Sequence, residues 1–176
     1  AISSHPDVIK NGNKIKDKSK LSELSVTWIN VGQADSILIQ SKNGDNMLID
    51  TGGFRDNGET VLNYFNKRGV NKIDHLVASH QDSDHIGGHE AVIRSFGSEG
   101  IGEIYDNGLV RTTETEDEYL TAVSDNGLSI TEVKKGDEIA FDGAKVKVLN
   151  PQSSGDSGGS GSDNDMVVLR ITHGNN

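Results

Sequence analysis

Hydrophobic residues in this chain come in short bursts separated by turn residues, and the period of the bursts changes along the chain. From Leu24 to Asn30 apolar and polar positions alternate well enough to predict a strand, with Val26, Trp28 and Ile29 as its apolar members. Val31-Gly32-Gln33 reads as a turn and Ile37-Leu38-Ile39 as a second strand. Asn43-Gly44 is the next hairpin turn, and Met47-Leu48-Ile49 is a third strand ending at Asp50. Consecutive strands with tight turns predict an antiparallel meander. The period then lengthens. Between Glu59 and Arg68, Val61, Leu62 and Phe65 fall on one helical stripe with Tyr64 beside it, and Gly69 supplies the C-cap. Val70 to Ala78 carries the chain into an apolar strand, with His75 as a satisfied structural histidine. Gly88 to Phe96 predicts a second helix closed by Gly97, Ile101 to Tyr105 a strand, and Asp117 to Ser124 a third helix. Ile130 to Val133, Glu138 to Phe141, Lys145 to Leu149 and Met166 to Thr172 predict the remaining strands, with Asp142-Gly143 as a hairpin signal.

Two stretches carry no pattern. Residues 1–20 are polar and lysine-rich and read as a tail or linker, so His5 within them is a tail residue. Residues 153–162 are almost pure Ser and Gly with one Asp156, the composition of a flexible loop, native or spliced in. The domain is thus expected over residues 21–176. Its length is enough for one core. With 32% hydrophobic residues and 21 glycines, it should be rich in turns and loops rather than a helical bundle. No apolar run is long enough to span a bilayer, and no signal-peptide pattern is visible. Cysteine is absent, which removes disulfides and thiolate metal sites. The net charge of −10 argues against broad contacts to a phosphate backbone, though not against a local site where bound cations meet a phosphate. The acidic run Glu114-Thr115-Glu116-Asp117-Glu118 reads as a solvated helix start.

The chemistry concentrates in Ser79-His80-Gln81-Asp82-Ser83-Asp84-His85-Ile86-Gly87-Gly88. An apolar strand leads in, and a glycine pair leads out to a helix. His80 and His85 offer imidazole nitrogens while Asp82 and Asp84 offer hard oxygens, a mixed set suited to zinc, manganese or another first-row divalent ion. A regular strand would send alternate side chains to opposite faces, so the ligands must curl round the ion in a loop that the glycines permit. The plainer alternative is a polar loop in which Asp84 caps the following helix. His89 lies four residues after His85 and would share its face on a continuous helix. The glutamate of a His-Glu-x-x-His motif is absent, and His89 is expected at the surface or at a pocket rim.

This stretch resembles the metal signature of the metallo-β-lactamase superfamily, usually His-x-His-x-Asp-His. The aspartate at the second ligand position, Asp82, resembles the branch that includes the metallo-hydrolase domain of bacterial DNA-uptake competence channel proteins. Asn30 to Ile39, Leu48-Ile49-Asp50-Thr51-Gly52-Gly53, Lys135-Gly136-Asp137, Val148-Leu149-Asn150-Pro151 and Asn164 to Leu169 are similar to further pieces of that branch in the same order, and the likeness covers about residues 24–172. It implies an α+β fold, an αββα sandwich with a mixed, largely antiparallel sheet and flanking helices. It also implies that Asp50 sits beneath the metal loop and holds it by hydrogen bonds. From the residues alone, Asp50-Thr51-Gly52-Gly53 is an Asx-type turn.

The resembled family continues past the last predicted strand to a Gly-Asp whose aspartate bridges the metals, and to a later histidine. Neither motif is in this chain, and His173 reads as a turn residue. The expectation is therefore mostly the first half of the sandwich, with an apolar patch, a strand edge open to self-association, and one or two weakly held ions. The resemblance implies a metal-dependent hydrolase in which His80, Asp82, Asp84 and His85 bind the metal and Asp84 and His85 carry the chemistry on a water. The expected substrate is a nucleic-acid phosphodiester. Hydrolysis of lactones or β-lactams, and a non-catalytic metal-binding or interaction module, are the alternatives. A bacterial cell-surface or extracellular location is expected, although a cytoplasmic enzyme would look little different.

Overall fold

A computed structural model describes residues 23–155 and 165–174; the N-terminal tail and most of the Ser/Gly loop, with Asn164, lie outside them. The chain runs β1 (Ser25–Trp28), β2 (Ile37–Gln40), β3 (Asn46–Ile49), α1 (Glu59–Arg68), β4 (Ile73–Val77), α2 (His89–Gly100), β5 (Ile101–Asp106), α3 (Glu114–Asp125), β6 (Ile130–Glu132), β7 (Glu138–Phe141), β8 (Ala144–Asn150) and β9 (Val168–Thr172). Strands β1 to β6 form one sheet in sequence order, and β7 to β9 a second.

The connections fix strand direction. The short turns between β1, β2 and β3 give antiparallel pairs, while α1, α2 and α3 are crossovers that make β3 to β6 parallel. The second sheet is antiparallel throughout. The fold is α+β, with a mixed sheet. Because β3, β4 and β5 run parallel, their carboxyl ends, at Asp50, Ser79 and Asp106, come out on the same edge. Loops at such an edge are the usual place for a site in a parallel sheet.

Each sheet face has its own core. On one face, Val61 and Phe65 of α1, Val92 and Ile93 of α2, and Tyr119, Ala122 and Val123 of α3 pack on Leu38, Leu48, Leu76 and Ile104. On the other, Ile139, Phe141, Val146 and Val148 of the second sheet pack on Ile39, Met47 and Val77. This corrects the expectation of an uncovered apolar face on the larger sheet: the short C-terminal strands fold back as its cover. The outer face of the second sheet alternates in register, exposing Lys145, Lys147 and Arg170 beside Leu149 and Val168.

The helix ends follow their residues. Gly69 closes α1 at φ 66°, its N–H reaching the carbonyls of Asn66 and Phe65. Gly97 breaks α2 at φ 62°, as its position predicts, but one more turn follows to Gly100. The third helix starts earlier than its apolar pattern suggests, because the Thr113 hydroxyl caps it by accepting from the N–H of Glu116. Glu116 is consequently turned inward and buried, which corrects the reading of its run as wholly solvated.

Candidate metal centre

Asp50 follows β3 in the left-handed region at φ 59°, a conformation aspartate tolerates better than most residues. That kink turns its carboxylate under the loop after β4. Oδ1 accepts the Ser79 N–H at 2.8 Å and Oδ2 accepts the Ser79 hydroxyl at 2.6 Å. Oδ2 also lies 2.8 Å from His85 Nδ1. The Ser79 hydroxyl stands 3.1 Å from His80 Nδ1 as well. Both imidazoles are thus held from below at Nδ1, with ring centroids 4.0 Å apart, and their Nε2 atoms face outward.

Backbone contacts shape the loop. His85 and Ile86 donate to the Asp82 carbonyl, Thr51 N–H to that of His85, and Phe54 N–H to that of Ser83. The two glycines allow this approach. A Cβ on Gly87 would stand 2.1 Å from the Phe54 nitrogen, and one on Gly88 2.5 Å from Gly58 Cα.

Outward of the rings stand carboxylates. His80 Nε2 is 3.4 Å from Asp82, and His85 Nε2 is 3.7 Å from Asp84 and 4.0 Å from Asp35. Two ligands on a common cation with bonds of about 2.1 Å lie about 3.4 Å apart in a tetrahedral shell and about 3.0 Å apart in an octahedral one. The pair spacings are therefore near those of ligands sharing an ion, and the donor chemistry fits zinc or manganese. Among the described residues no group of three such side chains has already converged on one point. Asp82, Asp84 and Asp35 are the more exposed members, with side chains 43%, 60% and 66% exposed, and would have to rotate inward to share an ion. Burial disfavours a charged His85, but the hydrogen bond and charge of Asp50, with the charges of Asp84 and Asp35, outweigh it and raise its pKa. The same negative field would attract a metal cation.

The loop after β5 joins the site sideways. The Gln81 side chain donates to Asn107 Oδ1 at 2.7 Å, and the Arg111 guanidinium lies 3.5 Å from Asp82. From the last strand's approach, Val167 N–H donates to the Ser79 carbonyl at 2.6 Å.

His80, Asp82, Asp84 and His85 thus stand in a row of pairs, Asp82 by His80, His80 by His85 and Asp84 by His85, with Asp50 beneath His85. His89 does not lie at a rim: it is fully buried, its Nδ1 2.8 Å from Thr51 Oγ1 and its ring edge-on to Tyr119. The i, i+4 argument fails because α2 begins only at His89, so His85 sits on no helix with it. Burial drives the His89 pKa down to about 4, which keeps the ring neutral. His75 is buried and stacked on Tyr105, and His173 Nδ1 donates to the Gly143 carbonyl in the β7–β8 turn. Asp35 and Arg111 went unnoticed as individual residues because each is a single polar residue in a distant loop. For Asp35 the only signal was its place in the resembled hairpin.

The family model described as the Metallo-beta-lactamase superfamily matches residues 29–174. ComE operon protein 3 of Bacillus subtilis (strain 168) is 31% identical over 149 residues, covering 75% of this chain and 19% of that protein. Competence protein ComA of Neisseria gonorrhoeae is 39% identical over 71 residues, covering 40% of this chain and 10% of that protein. The matches thus span only a small part of either relative. Among solved structures, the MIM-2 metallo-beta-lactamase superposes with a TM-score of 0.56 at 16% identity, over 95% of this chain and 62% of that one. A mutant of the flavo di-iron protein from Thermotoga maritima superposes with a TM-score of 0.54 at 20% identity, over 78% and 30%. At such identities these structures show the fold alone.

Proposed function

This chain belongs to the metallo-beta-lactamase superfamily, whose fold is of the hydrolase type and whose members bind divalent metals, and on that premise we propose that it is a metal-dependent phosphodiesterase acting on nucleic acid. The observation that carries this reading is the pair His80 and His85, gripped at Nδ1 from below by Ser79 and Asp50 with Nε2 turned toward Asp82, Asp84 and Asp35. His80 and His85 would hold one or two zinc or manganese ions with Asp82 and Asp84. Asp50 supports His85 directly, since a carboxylate on the far nitrogen fixes a ring's tautomer and orientation, and it supports His80 through the Ser79 hydroxyl. When bound, the ion supplies Lewis acidity and an acidified water near neutral pH. Asp84, at 60% the most exposed of the loop carboxylates, would orient that water and take its proton, with His85 beside it.

The likeness to the two competence proteins supports a nucleic-acid substrate and a cell-surface setting. The second reading is a non-catalytic binding module, with self-association through the free edge of β9. It is favoured by the unconverged side chains and by how little of each relative the matches span. The two separate in one assay series: manganese- or zinc-dependent cleavage of single-stranded DNA and bis-p-nitrophenyl phosphate by the chain. The enzyme reading expects cleavage that His80→Ala or Asp84→Ala abolishes. Cleavage that survives both substitutions would sink it, and hydrolysis of lactones or β-lactams in its place would reassign the substrate.

A further inference from the structure

We propose that Phe54 and Arg55 form a subsite for single-stranded nucleic acid beside the metal centre, the ring stacking on an unpaired base and the guanidinium meeting a phosphate. The inference rests on the phosphodiesterase reading and narrows its substrate to strands whose bases are free. Trp28, Phe54 and Val110 are 62%, 56% and 78% exposed, more than any other large hydrophobic residue among those described. All three sit at the sheet edge from which the metal loop emerges. Strands β1 and β3 both run antiparallel to β2, which sets Trp28 level with Ile37 and Ile49, one residue short of Asp50. Phe54 lies in the segment after β3, and Val110 in the loop after β5. Apolar side chains gathered at the edge of a site mark a ligand with apolar faces. Unpaired bases have such faces, whereas a bare phosphate has none and a duplex keeps its own stacked inside.

The charge at this edge points the same way. Asp35, Asp50, Asp82 and Asp84 stand by the two imidazoles and together balance two divalent ions, so a phosphate needs a further cation. Arg111 is already engaged with Asp82. Arg55 is exposed and, among the described residues, pairs with no carboxylate; its guanidinium lies over the Phe54 ring, 5.6 Å from the centroid. The carboxylate next to it, Asp56, is taken up by Thr60, whose hydroxyl it accepts at 2.6 Å and whose N–H it accepts at 3.0 Å. Backbone bonds mount the pair against the metal loop. Phe54 N–H donates at 2.9 Å to the carbonyl of Ser83, the residue between Asp82 and Asp84. Gly87 N–H donates to the Gly52 carbonyl at 3.0 Å, and Asp56 N–H to the Gly53 carbonyl at 3.0 Å. Phe54 and Arg55 thus ride on a tight turn tied to the loop that carries the ligands. Ring and guanidinium together are the pairing that single-strand recognition uses, one for base faces and one for the backbone.

The test measures fluorescence anisotropy on the manganese-loaded chain with slowly cleaved phosphorothioate probes: a single strand of mixed sequence, the same strand in a duplex, and an abasic strand of the same length and charge. Phe54→Ala should weaken the base-bearing strand by roughly 5- to 100-fold, the scale of one base–aromatic stack, while Phe54→Trp binds it at least as tightly as wild type. The abasic strand should bind wild type and Phe54→Ala within about twofold of each other. Arg55→Ala should weaken both strands and flatten the slope of log affinity against log salt by about 0.7, the mark of one phosphate contact. The duplex should bind more weakly than the strand. Both side chains are exposed, so bound metal and melting temperature should stay as in wild type; if Phe54→Ala does not fold, Phe54→Leu carries the same comparison. Equal affinity of wild type and Phe54→Ala for the base-bearing strand, an equal loss on the abasic strand, or a duplex bound as tightly as the strand overturns the subsite. An unchanged salt slope in Arg55→Ala overturns the part given to Arg55. A folded wild type that binds none of the probes overturns the phosphodiesterase reading beneath it.

Discussion

Asp50→Asn separates holding the loop from holding the metal. Asparagine is nearly isosteric and tolerates the left-handed backbone at φ 59°, so the kink should survive. Its Oδ1 still accepts the Ser79 N–H. Its amide NH2, however, replaces an acceptor that stands 2.6 Å from the Ser79 hydroxyl and 2.8 Å from His85 Nδ1. The hydroxyl can rotate and accept. The ring has no such freedom: to accept at Nδ1 it must carry its proton on Nε2, the atom that faces Asp84 and Asp35. A protonated Nε2 is no ligand. Loss of such a partner typically weakens metal binding about 10- to 100-fold, or about 1.4 to 2.7 kcal/mol. Two charge-assisted hydrogen bonds are also degraded, worth about 3 kcal/mol together, and a melting temperature lower by roughly 6 to 12 °C follows. Calorimetric titration with zinc and manganese reads the first effect, and nitrogen NMR of the metal-free His85 ring reads the tautomer. Metal affinity within about twofold of wild type would show that Asp50 does not present His85 as a ligand.

Gly87→Ala would place a Cβ 2.1 Å from the Phe54 nitrogen, so it should cost about 2 kcal/mol or more; an unchanged thermal midpoint would contradict the close packing of the loop on the β3–α1 segment. Thr51→Val removes the group that meets His89 Nδ1 at 2.8 Å and the Gly88 N–H at 3.0 Å, both buried, and should cost about 1 to 3 kcal/mol while metal stoichiometry stays as in wild type. Asp106 tests pH dependence: burial raises its pKa to about 6, so the native chain holds a proton that the unfolded chain releases, and stability falls as pH rises from the ordinary carboxylate range through 6. Asp106→Asn should therefore stabilise at pH 7 by about 3 kcal/mol and lose that advantage below about pH 4 in denaturant titrations; an advantage that does not change with pH would refute the assignment.

Legibility followed the range of the interactions. Strands and helices were readable because their apolar periods are local, and the metal loop was readable because His80, Asp82, Asp84 and His85 crowd into one stretch. Asp50 was readable as a turn residue, while its grip on Ser79 and His85 spans 29 and 35 positions and came only through the resemblance. Contacts of that kind decided what was missed. His89 turns inward because Thr51 and Tyr119 meet it from separate segments, and Glu116 turns inward because a cap starts α3 early. Arg111 reaches Asp82 only because parallel pairing sets the ends of β4 and β5 side by side. That a second sheet covers the first came only through the resemblance; that β7 to β9 form it could not be read from the residues, since each of these strands reads only as alternating.

The most direct measurement is elemental analysis of the purified protein, followed by titration with zinc and manganese on wild type and His80→Ala. If residues 79–88 form a divalent-metal site, wild type takes up one or two ions per chain and His80→Ala loses them. A wild type that takes up no ion at millimolar metal, or a His80→Ala variant that binds as wild type does, would contradict it.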